Sequence, residues 1–123
     1  MMNSEAYRLL DVGGTYIKCA DGSQVPVPSG GSREAIAAAL KKAVGPTDGL
    51  RGIAVAIPGP FDFTQGIFLM EHKFAAVKGQ RFRSLAEVPE TVPLRFQICS
   101  MSKSASCFIY KLYCPAINNL IFG

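Results

Sequence analysis

Apolar residues come in short bursts along this chain, and their spacing changes character from one burst to the next. Arg8 to Val12 is an apolar-rich run stopped by Gly13-Gly14, and Thr15 to Ala20 resumes with β-branched and aromatic residues before Asp21-Gly22. That pattern reads as strand, tight turn, strand. From Ser23 to Val27 the residues alternate, with Val25 and Val27 on one face. This predicts a third strand, which Pro26 confines to a sheet edge because proline has no N–H to offer a further neighbour.

The period then shifts. Ile36, Ala39, Leu40 and Ala43 recur at helical spacing, which predicts a helix from a Ser32 cap to about Val44. Glu34 in its first turn and Lys41 and Lys42 in its last complement the helix dipole, and Gly45-Pro46 stops it. Gly52 to Ile57 is a continuous small-and-branched run, the signature of a strand buried on both faces, and it ends in Pro58-Gly59-Pro60. Phe61 to Phe82 mixes aromatics with Gly66 and Gly79, which predicts short irregular strands and loops. Ser84 to Val88 reads as a helical turn before Pro89, and Pro93 to Ile98 as another buried strand. The expectation is an α/β domain with βββαβ order and one further strand. Its mixed sheet should have Arg8 to Val12 at the centre and the helix on one face.

A length of 123 residues suits one compact domain. Apolar residues at 49% and charged residues at 18% give the balance of a globular chain. No apolar run reaches the roughly 20 residues that span a bilayer, and MMNSEAYRLL lacks the basic start and apolar stretch of a signal peptide. The expectation is a cytoplasmic protein with no membrane partner. The formal charge of +4 comes mostly from the tail: residues 1 to 90 carry ten basic and nine acidic side chains, whereas 91 to 123 carry Arg95, Lys103 and Lys111 and no acid. Three scattered cations make a poor footprint for a polyanion, so no nucleic-acid binding is expected.

Cys19 stands alone early in the chain, while Cys99, Cys107 and Cys114 crowd its end. No pair has zinc-ligand spacing, and in a cytoplasmic chain the thiols should be reduced. The lone histidine, His72, reads as a surface or packing residue ahead of a substrate contact. A compositional break near Gln97 sets residues 97–123, rich in serine and cysteine, apart from residues 1–96.

The chemistry concentrates in Leu9-Leu10-Asp11-Val12-Gly13-Gly14-Thr15-Tyr16-Ile17-Lys18. Paired glycines let the backbone turn tightly and bring N–H groups to phosphate oxygens that a β-carbon would obstruct. The Thr15 hydroxyl can donate to phosphate. Asp11, at a strand end, can hold magnesium through water, since that ion sheds its hydration shell reluctantly. Lys18 either adds positive charge or faces solvent. A plain hairpin turn would need no ligand at all. The second segment, Gly52 to Asp62, delivers a rigid Pro-Gly-Pro turn to the sheet edge where ligands of open α/β sheets collect. There Gly59 is the candidate for close backbone approach to a substrate, and Asp62 a candidate contact.

Asp-x-Gly-Gly-Thr-x-Ile-Lys resembles the first phosphate motif of ROK (repressor, open reading frame, kinase) sugar kinases. The strand with its Pro-Gly-Pro-x-Asp turn is similar to the segment that lines their cleft. The likeness runs over residues 7 to 96. It implies an amino-terminal lobe of ribonuclease H-like, actin-like ATPase fold over 1–96. Further implications are ATP and Mg²⁺ at Asp11, Gly13, Gly14, Thr15 and Lys18, and a hexose near Gly59 and Asp62. In this family the strand resembling Val92 to Phe96 leads into Asn-Asp-Ala, whose aspartate is the general base. Here the sequence reads Gln97-Ile98-Cys99-Ser100-Met101, so the base expected near Cys99 is missing. The resemblance therefore implies a sugar kinase cut short and inactive as written, with a tail that a shifted reading frame would produce. Two alternatives stand beside it. One is a fragment of a sugar-sensing repressor of the same family, whose helix-turn-helix would have to precede Tyr7. The other is a noncatalytic or pseudogene product.

Overall fold

Residues 7–98 are described in the computed structural model of the protein. The tail beyond Ile98, with Cys99, Cys107, Cys114 and the expected general-base position, lies outside the described residues. Seven strands and two α-helices follow one another as β1 (Tyr7–Val12), β2 (Tyr16–Cys19), β3 (Gln24–Pro26), α1 (Arg33–Val44), β4 (Gly52–Ile57), β5 (Phe61–Asp62), β6 (Ile67–Phe68), α2 (Phe82–Ala86) and β7 (Leu94–Ile98). A single 3₁₀ turn at Ala75–Val77 precedes α2. Five strands form a mixed sheet in the order β3-β2-β1-β4-β7, and β5 and β6 make a separate hairpin.

β1 is central, antiparallel to β2 and parallel to β4. β7 extends the parallel half beyond β4. Among the described strands β3 is an edge, as Pro26 requires. Every residue of β4 is buried, which explains its unbroken run of Gly, Ile, Ala and Val.

Helix α1 forms where its periodicity and caps agree. The Ser32 hydroxyl accepts from the Ala35 N–H at 3.2 Å, and Gly45, at φ +69°, donates its N–H to the Lys41 carbonyl at 3.0 Å. Its apolar stripe, Ile36, Ala39, Leu40, Ala43 and Val44, is buried in one cluster with Leu10, Val12, Ile17, Ile53, Val55 and Ile57 of the sheet. Each fully buried aliphatic side chain stabilises the fold by about 1.5–3 kcal/mol. Strand alternation sends the intervening residues to the other face. Asp11 lies in register with Lys18 on one side and Ala56 on the other, so the three share that face with Leu9 and Ala54.

The expected helical turn at Ser84 to Val88 is displaced towards the amino terminus, to Phe82–Ala86. The reason is tertiary. Phe82 is fully buried, and its N–H donates to the Gly66 carbonyl at 2.8 Å, which pins the start of α2 to the hairpin. At the other end Glu87 adopts a left-handed conformation, φ 55°, and the helix stops there. Phe61, Phe68, Phe74, Phe82 and Phe96 pack together with ring centroids 5.0 to 6.4 Å apart, and this aromatic cluster organises the irregular segment between β4 and β7.

Candidate functional site

The parallel register sets the geometry. Asp11 lies opposite Ala56 and Ile57 opposite Ile98, so the turn after β1, the turn after β4 and the end of β7 emerge side by side at one sheet edge. This is the carboxyl edge, where open α/β sheets place ligands. Asp11 and the Pro58-Gly59-Pro60 turn are thereby brought close in the fold, although they are distant in sequence.

The turn between β1 and β2 is closed by the Gly13 N–H, which donates to the Tyr16 carbonyl at 2.9 Å. Neither Gly13 nor Gly14 has positive φ, so left-handed backbone is not what selects them. A β-carbon on Gly13 would stand 3.0 Å from that same Tyr16 carbonyl, and on Gly14 it would meet the Lys73 ammonium at 2.8 Å. The first glycine is therefore favoured by the backbone of its own turn, whereas at the second the contact is with the tip of an exposed lysine, which can move aside. Gly13 spends its N–H inside the turn. Among the described residues, the N–H groups of Gly14 and Thr15 and the exposed Thr15 hydroxyl have no hydrogen-bond acceptor.

The carbonyls of Gly14 and Thr15, in contrast, are engaged. Ser29 Oγ donates to the Gly14 carbonyl at 2.7 Å, and the Val27 N–H to the Thr15 carbonyl at 2.9 Å. The Phe74 N–H in turn donates to the Ser29 carbonyl at 2.8 Å. Segments 13–15, 27–29 and 73–74 are thus knitted together, with the Gly14 and Thr15 carbonyls engaged and the N–H groups of the same two residues left without acceptors among the described residues. Such an arrangement presents partial positive charge and suits an anion.

The other sequence candidates differ in what they do. Asp11 is buried, 6% exposed, and is the buried charged residue of the described chain. Lys18 is exposed on the same face as Asp11. Gly59 is exposed, and a β-carbon there would find only the Phe61 nitrogen at 3.8 Å, an ordinary contact. No described residue crowds that position. The Asp62 carboxylate accepts from the N–H groups of Thr64 and Gln65 at 3.0 and 2.9 Å and from Gln65 Nε2 at 3.1 Å, so it caps its own turn. His72 is exposed.

Two participants were not legible in the sequence, Ser29 and Lys73. Neither belongs to a motif, and only the folded chain brings them to Gly14. Beside Lys73, Glu71 pairs with Lys78, whose hydrogen bond and charge hold the Glu71 carboxyl below its ordinary value.

Among the described residues no three His, Cys, Asp or Glu side chains gather as a metal-ion cluster. Cys19 is a free, half-buried thiol. No described helix is long and apolar enough to cross a membrane. A separate concavity, lined by Tyr7, Arg8, Cys19, Asp21, Lys42 and Pro46, opens at the opposite end of β1 from the glycine turn.

No protein-family model matches the chain, and no curated protein matches it. Among solved structures, a ROK hexokinase from Thermus thermophilus is similar at 26% sequence identity and a TM-score of 0.47, over 72% of this chain. The chain spans 33% of that hexokinase's length.

Proposed function

We propose that the carboxyl edge of β1 is the phosphate-binding site of an ATP-dependent hexose kinase lobe of ROK type. One observation carries this reading. The central strand of the sheet ends in a buried carboxylate, Asp11, followed by a turn whose Gly14 and Thr15 N–H groups have no acceptor in the described structure. Unpaired backbone donors at a sheet edge bind phosphate oxygens, and the Thr15 hydroxyl adds a third donor. The motif Asp11-x-Gly13-Gly14-Thr15 resembles the first phosphate motif of such kinases.

Asp11 is the residue that would hold magnesium. A single carboxylate suffices for an ion that keeps most of its water and takes its remaining ligands from phosphate. Magnesium, when bound, neutralises charge on the nucleotide phosphates. The protein contributes position: the turn fixes the phosphates, and the adjoining Pro58-Gly59-Pro60 turn, open at Gly59, offers backbone to a sugar. Phosphoryl transfer of this kind depends almost entirely on positioning and electrostatics.

Where the resemblance expects the base that takes the proton from the attacking sugar hydroxyl, the sequence reads Gln97-Ile98-Cys99-Ser100-Met101 and offers no acid. Losing a general base lowers the rate by about 10² to 10⁴-fold. We therefore propose nucleotide binding without useful phosphotransfer. The test joins calorimetric titration of Mg·ATP with a coupled assay of ADP release over a panel of hexoses. Binding that weakens in Asp11→Asn, with no sugar-dependent ADP release, is the expected result. Sugar-dependent turnover that is abolished by Asp11→Ala would refute the inactivity, and absence of any Mg·ATP binding would refute the site.

A further inference from the structure

Lys73 is the unexpected neighbour of the glycine turn. Its Nζ, Cε and Cδ lie 2.8, 3.3 and 3.3 Å from the point a Gly14 β-carbon would occupy, so the side chain lies along the glycine. A surface lysine ordinarily extends into water, where its ammonium is strongly hydrated. This one is directed back onto the backbone by its attachment. The next residue, Phe74, is fully buried against Phe68, holds a left-handed conformation at φ 57°, and donates its N–H to Ser29, whose hydroxyl grips the Gly14 carbonyl.

The ammonium has no hydrogen-bond or ion-pair partner in the described structure. The nearest acid in sequence, Glu71, is already paired with Lys78. An unpaired cation therefore sits beside Gly14, in a turn that carries two unpaired backbone N–H groups and a free hydroxyl. All four can donate to an anion, and of them the hydroxyl alone can also accept. A cation held close to uncompensated N–H dipoles is an unfavourable arrangement in isolation, and an anion between them relieves it.

We infer that Lys73 is a direct ligand of a nucleotide phosphate held at the Gly13–Thr15 turn. The inference rests on the reading of that turn as a phosphate site and adds to it a residue outside the motif. Lysine suits this role as a compact point charge that can follow a phosphoryl group. The lack of a side chain at position 14 gives the lysine stem its place.

The test uses the full chain with its lysines reductively dimethylated with ¹³C, which keeps their charge and gives each a methyl signal; Lys73→Arg assigns the one sought. Mg·ATP, Mg·ADP and a hexose 6-phosphate are titrated separately, with the turn amides followed on ¹⁵N-labelled chain. The Lys73 signal should move with Mg·ATP and less with Mg·ADP. Lys73→Met should weaken Mg·ATP binding about tenfold, the size of one charge-assisted hydrogen bond. Lys78→Met, which removes a nearby paired lysine, should leave it unchanged. Because Lys73 is exposed, its variants should keep the parent melting temperature. Turn amides that move with Mg·ATP while the Lys73 signal and the Lys73→Met affinity do not would overturn the role of Lys73 alone. Turn amides that never move would overturn the phosphate site with it. A Lys73 signal that answers only to the hexose phosphate would overturn the nucleotide assignment.

Discussion

Gly66→Ala should be the most damaging single-methyl change in the segment between β4 and β7. Gly66 sits at φ +73°, is buried, and is held from both sides: its N–H donates to the Asp62 carbonyl at 2.7 Å and its carbonyl accepts from Phe82 at 2.8 Å. A β-carbon there would stand 2.5 Å from Cε2 and 2.9 Å from Cζ of Phe96. That ring cannot step aside freely, because Phe61 and Phe82 pack against it with centroids 5.0 and 5.4 Å away. Left-handed backbone costs a non-glycine residue roughly 1–2 kcal/mol. Overpacking adds roughly 1–3 kcal/mol. Gly79→Ala is the control, since Gly79 has φ +84° but nothing within 4 Å of the added carbon, so only the backbone term applies. Urea unfolding followed by circular dichroism should place Gly66→Ala below Gly79→Ala by about 1–3 kcal/mol, with a melting temperature lower by about 4 °C or more. Combining Gly66→Ala with Phe96→Leu should recover part of the loss through coupling between neighbours. Equal destabilisation by the two alanines would refute the packing argument.

Leu40→Ala, at a fully buried position of α1, should cost about 2–5 kcal/mol in the same unfolding assay. Ser32→Ala removes the cap that accepts from Ala35 and should cost about 1 kcal/mol without changing the fold. The Ser23 hydroxyl, at 2.6 Å, and then the Ser23 N–H, at 2.8 Å, hold the Asp21 carboxyl below its ordinary value. A depressed folded value makes its small stabilisation complete above the ordinary aspartate range and lost as pH falls through the folded value. Ser23→Ala should therefore raise the Asp21 titration seen by carboxyl ¹³C NMR, and its stability deficit should vanish in strong acid.

What could be read in the sequence was whatever local residues decide. Ser32, Glu34, the Ile36-Leu40 stripe and Gly45 all specify α1 within one stretch of chain, and the structure has it at Arg33–Val44. Pro26 marked the edge strand and the Gly52 to Ile57 run the buried one, because hydrogen-bonding capacity and two-sided burial leave direct marks on composition. The segment from Phe61 to Phe82 resisted detailed reading because its order comes from aromatic contacts among residues that share no period. The start of α2 at Phe82 follows from the bond its N–H makes to the Gly66 carbonyl, and the need for glycine at position 66 from its left-handed backbone and from Phe96, a residue on another strand. The site divided in the same way. Asp11, Gly13, Gly14 and Thr15 form one contiguous motif, whereas Ser29 and Lys73 reach it only through the fold.

The most direct test of the account is an amide NMR titration of the ¹⁵N-labelled chain with Mg·ATP. The N–H groups of Gly14 and Thr15 are the donors of this turn left without acceptors among the described residues, so their signals should move furthest and saturably, with Gly13 following through its shared turn. The same titration with magnesium alone should leave them nearly still. Shifts confined to residues away from the turn, or none at all, would contradict a phosphate site at the end of β1.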